Sequence, residues 1–177
     1  MRMQKNKFRR GFTLTELIAV VIILGVLTAL ASGSYKKAVE RSRAADGLVA
    51  ATTVMEALDR YYIENFISNP SNSDRPSLHH LDVSFPNQKP CDNDYDYCLE
   101  TKYFRIELAD RFVDAQRKTG DYKIRAYSRV FTNWESGDDG GMYRVYEICK
   151  YINNMGQDVC VSAGYTSCVG STCRKPI

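Results

Sequence analysis

Between Leu17 and Ala31 the chain runs LIAVVIILGVLTALA without one charged residue. Adding Phe12 to Thr15 and Ser32 to Ser34 brings this run to about the ~20 residues that a helix needs to cross a bilayer. Its ten large aliphatic residues, Leu17 through Leu30, would each gain ~1.5–3 kcal/mol on leaving water. A chain of 177 residues has room for one ordinary domain plus an appended helix, and such a domain could not bury this segment while keeping its own core. The segment therefore needs lipid or other copies of itself.

The flanks orient it. Arg2, Lys5, Lys7, Arg9 and Arg10 precede the run with no acid among the first ten residues, leaving 19 of the 24 basic residues against 21 acidic ones in the remainder. The basic excess thus resembles the n-region of a targeting segment, and the rest of the chain lacks the bulk positive charge of a general nucleic-acid binder. Beyond the run, Lys36, Lys37, Arg41 and Arg43 are partly offset by Glu40 and Asp46. Counting bases places the N-terminus in the cytoplasm and the remainder outside. Cys91, Cys98, Cys149, Cys160, Cys168 and Cys173 all lie in that remainder, an even set that suits a disulfide framework in an oxidising compartment. Zinc is the competing use, but no paired C-x-x-C spacing is present and His79 and His80 are adjacent, so no metal site is expected. A secretory signal peptide cut after Ala29-Leu30-Ala31 is the alternative for the apolar run. Glu16, and helical patterning that continues some thirty residues past that cut, oppose it.

After Tyr35 the apolar residues Ala38, Val39, Ala45, Leu48, Val49, Met55, Leu58, Tyr62 and Phe66 recur every three or four positions, with Lys36, Glu40, Arg43, Glu56, Asp59 and Arg60 mostly off that face. Glu56 and Arg60 form a favourable i,i+4 pair. With no proline before Pro70, a single helix from about Thr13 to Phe66 is expected, ~80 Å long, ended by Asn69-Pro70-Ser71-Asn72.

Farther on, Tyr103 to Leu108, Tyr122 to Val130 and Met142 to Lys150 alternate with period two, separated by turn signals at Lys118-Thr119-Gly120-Asp121 and Ser136 to Gly141. This predicts an antiparallel sheet in an α+β domain, with Ile124, Ala126 and Val130 facing the amphipathic half of the helix. The other face of that strand shows Lys123, Arg125, Tyr127 and Arg129, a row that either contacts a polyanion such as DNA or is simply solvated. Asp92-Asn93-Asp94-Tyr95-Asp96 opens like a calcium loop, but Tyr97 replaces the required glycine and Tyr103 the closing glutamate. A turn closed by Cys91 and Cys98 suits it better. Six cysteines permit 15 pairings; the set expected here is Cys91 with Cys98, Cys149 with Cys160 and Cys168 with Cys173. No nucleophile with a matching base, phosphate loop or metal cluster is evident, so neither enzymatic activity nor a cofactor is expected.

The stretch Arg10-Gly11-Phe12-Thr13-Leu14-Thr15-Glu16-Leu17, with its basic leader and apolar helix, resembles the cleavage and methylation motif of prepilins, shared by type IV pilins and type II secretion pseudopilins. The resemblance implies a pilin-like fold, a long helix on a small antiparallel sheet with disulfide-bonded C-terminal loops. It implies a leader at 1–11, a membrane and filament-core helix at 12–34, and a globular head at 35–177. It also implies cleavage between Gly11 and Phe12 by an inner-membrane prepilin peptidase and N-methylation of Phe12. Glycine at the cut lets a protease approach the backbone closely. Glu16 would pair with the freed amine of Phe12, in its own or a neighbouring subunit, or would complement the positive end of its own helix. Gly25 matches a common pilin glycine, whereas Gly33 stands where many major pilins have proline; the two serve either helix flexibility or close packing. The implied partners are other pilin subunits, the peptidase and an inner-membrane assembly platform. The implied location is the bacterial inner membrane, then a filament at the surface or in the periplasm. Some pseudopilins bind calcium in a C-terminal loop, which makes Asp138 and Asp139 the residues to watch. A pseudopilin, or a secreted binding domain released after Ala31, are the competing functions.

Overall fold

Alanine and glycine shape the packed half of the long helix. The computed structural model describes residues 11–92, 94–131, 134–136, 142–144 and 146–175, and its contacts divide it into two compact units, Met1–Ala38 and Val39–Ile177. Helix α1 (Leu14–Glu64) contributes to both.

In the first unit α1 is helical throughout the apolar run, including Ala29 to Ser34, and no part of its most apolar window is buried. In the second unit the buried residues of α1 are Ala44, Gly47, Ala50, Ala51, Val54, Met55, Ala57, Leu58, Asp59 and Tyr62. This corrects the face expected from large apolar residues: Ala45 is exposed, and so are Val49 and Phe66. Small side chains allow the helix backbone to approach the sheet. A Cβ added at Gly47 would stand 2.7 Å from the Phe104 ring.

Two acids expected off that face lie on it. Glu40 reaches Arg117 (Nε to Oε2 3.0 Å, Nη2 to Oε1 3.0 Å), and Asp59 is buried. The pair expected between Glu56 and Arg60 is replaced by longer-range contacts, Arg60 to Asp82 at 2.7 Å and Arg129 to Glu56 at 4.0 Å.

The strands are β1 (Lys89–Cys91), β2 (Asp94–Glu100), β3 (Phe104–Leu108), β4 (Phe112–Arg117), β5 (Tyr122–Tyr127), β6 (Trp134–Ser136), β7 (Met142–Arg144), β8 (Glu147–Tyr151), β9 (Ser167–Val169) and β10 (Thr172–Arg174), with helix α2 (Asn154–Ser162) between β8 and β9. Eight of them form one sheet in the order β1-β2-β3-β4-β5-β8-β10-β9, while β6 and β7 pair separately. Among the described residues every pairing is antiparallel.

Three expectations change here. The segment from Met142 to Lys150 is two strands in two sheets. The strand begun at Tyr122 stops at Tyr127, so Val130 is 48% exposed while Ile124 and Ala126 are buried. The cause is Asp59, which accepts from Ser128 Oγ at 2.5 Å and from the Arg129 N–H at 3.1 Å and draws the chain out of the sheet. The cysteine-rich C-terminus is not merely loop, since it supplies α2 and the β9–β10 hairpin and widens the sheet.

Disulfides join Cys91 to Cys98, Cys149 to Cys160 and Cys168 to Cys173. The sheet's outer strands are short: β1 contains Lys89 and Pro90, and β9 is three residues long. Gly120, at φ +81°, makes the turn between β4 and β5, a conformation that suits glycine.

Candidate processing and assembly segment

The start of α1 is held by a reciprocal cap. Thr13 donates to Glu16 Oε2 through both its backbone N–H and its Oγ1, each at 2.8 Å, and the Glu16 N–H donates back to Thr13 Oγ1 at 3.3 Å. This is a capping box, which satisfies backbone donors that the first turn leaves without helical partners. Glu16 therefore serves its own helix, yet a carboxylate has about four acceptor positions and can still receive a cationic amine. Gly11 and Phe12 precede the cap, and Phe12 is 87% exposed.

Around Gly11, Gly25 and Gly33, neighbouring residues and the helix's own backbone aside, no atom lies within 4 Å of the place a Cβ would occupy. Contacts within the chain thus supply no reason for glycine at these positions, and at Gly25 and Gly33 it weakens an intact helix by ~1 kcal/mol each relative to alanine. Thr28 Oγ1 donates to the carbonyls of Leu24 (2.8 Å) and Gly25 (3.0 Å), a back-bond of the kind that often bends helices. Helix flexibility and close packing against another copy both remain suitable uses. Residues 1–10, most of the expected leader, lie outside the described residues.

The basic row is internally compensated. Arg125 reaches Asp114 through Nε at 2.6 Å and Nη2 at 2.8 Å, and Lys123 Nζ reaches the same carboxylate at 2.9 Å. Burial of Asp114 favours its neutral form, but the hydrogen bonds from Arg125 and Lys123 outweigh this and hold the carboxyl below its usual range. Arg129 lies 4.0 Å from Glu56. The compensating Asp114 was within reach of sequence reasoning, because an antiparallel register about the turn at Gly120 sets Asp114 opposite Arg125. Nothing in the local sequence announces the Glu40–Arg117 pair, which joins residues 77 apart.

Among the described residues no three His, Cys, Asp or Glu side chains stand together as a metal site would require. Asp138 and Asp139 lie outside those residues, as does Asn93 of the calcium-like stretch.

Residues 6–32 match the family model of the prokaryotic N-terminal methylation motif. The chain is 31% identical over 75 residues to a type IV major pilin protein PilE1 of Neisseria gonorrhoeae, covering 41% of this chain and 35% of that one. It is 34% identical over 68 residues to a fimbrial protein of Neisseria meningitidis serogroup A, covering 38% of this chain and 39% of that one. The chain thus spans little more than a third of the length of these curated relatives. No solved structure matches it.

Proposed function

We propose that this chain is a type IV pilin-like structural subunit, cut between Gly11 and Phe12, methylated on the new Phe12 amine, and polymerised through the helix from Phe12 to Ser34. The single observation that carries the reading is exposure: twelve large apolar side chains, from Phe12 to Leu30, are each at least 48% open to solvent. At ~1.5–3 kcal/mol per side chain the drive to cover them amounts to tens of kcal/mol. Lipid supplies the cover before assembly, and sister helices supply it afterwards. The methylation motif matched at residues 6–32 supports processing at the head of this same segment.

Glu16 gives assembly its register. A carboxylate costs up to ~2.5–3.5 kcal/mol at a membrane centre unless it finds a partner or stays near the headgroups. The amine freed at Phe12 is a cation of the right sign at the right place, presentable within the subunit or by a neighbour. A prepilin peptidase and an inner-membrane assembly platform are the partners this route requires, and the subunit's role is structural.

That the relatives are named as major pilin and fimbrial protein favours a surface fibre over a secretion pseudopilus; loss of surface fibres on deletion of the gene is the check. Intact mass of the mature protein tests processing. The expected species begins at N-methylated Phe12, and one beginning at Ser32 would instead make the chain a secreted domain released after Ala31.

A further inference from the structure

Four connections of the second unit meet at one end of its sheet. The Lys118 N–H, in the turn from β4 to β5, donates to the Tyr103 carbonyl, in the turn from β2 to β3, at 3.0 Å. The Ile152 N–H, between β8 and α2, donates at 3.0 Å to the carbonyl of Asp121, the last residue before β5. The Tyr151 N–H donates to the Ser171 carbonyl, in the turn from β9 to β10, at 2.9 Å. Helix α2 starts at the same end, since a Cβ at Gly156 in its first turn would stand 2.1 Å from the Asp121 carbonyl oxygen. It then runs back along β8: Cys160 is bonded to Cys149, and the Tyr165 hydroxyl donates to Glu147, at the far end of β8, at 3.4 Å. Met155, beside Gly156, therefore shares this end with Ile152.

The chain also enters the second unit here. Glu40 meets Arg117 at 3.0 Å, and the Arg43 guanidinium lies 4.6 Å from the centroid of the Tyr103 ring. Ser34, where the proposed membrane span ends, precedes Glu40 by six residues, which is ~9 Å of helix and at most ~20 Å of extended chain. The headgroup layer bordering a bilayer core is about 5–8 Å deep, so this end of the sheet stands beside it. Its surface suits that layer. Ile152 is 75% and Met155 56% exposed, and Lys102 and Lys118 are exposed in the two neighbouring turns. Lys102 has no ion pair among the described residues and lies 5.0 Å from the Tyr103 ring centroid; Lys118 is 2.8 Å from Glu100. With Arg43 and Arg117 these are four cations beside three carboxylates, Glu40, Glu100 and Asp121. From β3 to β8 the row spans three strand spacings, ~14 Å. No pocket gathers these residues, but a flat partner meets all of them at once.

We propose that this end of the sheet rests on an anionic phospholipid bilayer while the subunit awaits assembly. Ile152 and Met155 enter the boundary between headgroups and acyl chains, as the apolar side of an interfacial helix does, and Lys102 and Lys118 lie against lipid phosphates. The proposal rests on the membrane-spanning role given to residues 12–34 and adds to it a second, peripheral contact with the same bilayer.

The test reconstitutes the full chain in vesicles of phosphatidylcholine and phosphatidylglycerol containing lipid brominated near the top of the acyl chain. The sole tryptophan is removed by Trp134→Phe, and a reporter is introduced by Ile152→Trp. A control reporter is introduced by Phe66→Trp at the opposite end, where Phe66 is 94% exposed and the Tyr62 hydroxyl one turn earlier donates to the Asp110 carbonyl before β4. Bromine should quench the reporter at 152 about twofold or more and leave the one at 66 unchanged. Exchanging phosphatidylglycerol for phosphatidylcholine should lower the quenching at 152 by about half, and so should Lys102→Gln combined with Lys118→Gln. Equal quenching at both positions, or quenching indifferent to lipid charge, would overturn the inference while the chain still floats with the vesicles. So would a reporter at 152 that is shielded from water yet unquenched, as contact with a second copy would leave it. A chain that does not float with the vesicles overturns the membrane role of residues 12–34 as well.

Discussion

Breaking the Glu40–Arg117 pair tests how α1 is tied to the sheet. The Arg117 side chain is 6% exposed and that of Glu40 18%; Arg117 also donates to the Tyr103 carbonyl at 2.9 Å, and Arg43 contacts Glu40 as well. Removing one partner of a fully buried pair costs ~3–5 kcal/mol, whereas exposed pairs are worth ~0.2–1 kcal/mol. With Glu40 still touched by water and Arg43 still beside it, Arg117→Leu should cost about 2 kcal/mol, equivalent to a melting shift of about 4–8 °C. The hydrogen bonds from Arg117 lower the Glu40 pKa from 4.5 against an opposing effect of burial. A depressed carboxylate contributes stability above its unfolded pKa and loses it as pH falls through the folded one. The wild type should therefore weaken as pH drops below about 5, and Arg117→Leu should flatten that part of the profile. Thermal unfolding of the fragment 35–177 between neutral and acid pH, with Glu40→Gln and the double variant completing a cycle, gives both numbers. Additive single effects with an unchanged acid slope would refute the reasoning.

Glu16→Ala should leave leader removal intact but abolish filaments or make the subunit lose competition with wild type; normal fibre yield would refute the role given to Glu16. Gly47→Val forces a side chain toward Phe104, which is nearly buried, and should lower the melting of the head by an amount equivalent to ~1–3 kcal/mol; an unchanged melting point would show that the ring can yield. The 35–177 fragment should not be retained on DNA at low salt, and Asp114→Asn, by releasing Lys123 and Arg125, should create weak binding that falls steeply as salt rises. Retention of the unaltered fragment would return the basic row to a polyanion role.

The long helix and the α+β class were legible because both rest on strong periodic signals: an uninterrupted apolar run, then a 3.6-residue repeat, then alternating strands. The details of the buried face were not. Ala44, Gly47, Ala50, Ala51 and Ala57 carry little hydrophobic signal, yet close approach to the sheet selects for them over Val49 and Phe66. Asp59 and Glu40 read as surface charges because their partners, Ser128 and Arg117, are distant in the chain. At the N-terminus the motif around Gly11, Phe12 and Glu16 was visible as a pattern, and Thr13-Leu14-Thr15-Glu16 also spells a capping box in its own right. What a single chain's geometry adds is that the cap is formed and the carboxylate engaged within the chain's own helix.

The outermost strands of the sheet bear on life in a crowd. Pro90 offers no amide proton, Lys89 adds charge beside it, and β9 is too brief to template another strand. Should the chain polymerise as proposed, heads packed at high local density would thus be discouraged from fusing edge to edge into cross-β aggregates. In the proposed fibre, ordered contacts between such domains would then fall to side chains and not to shared strands.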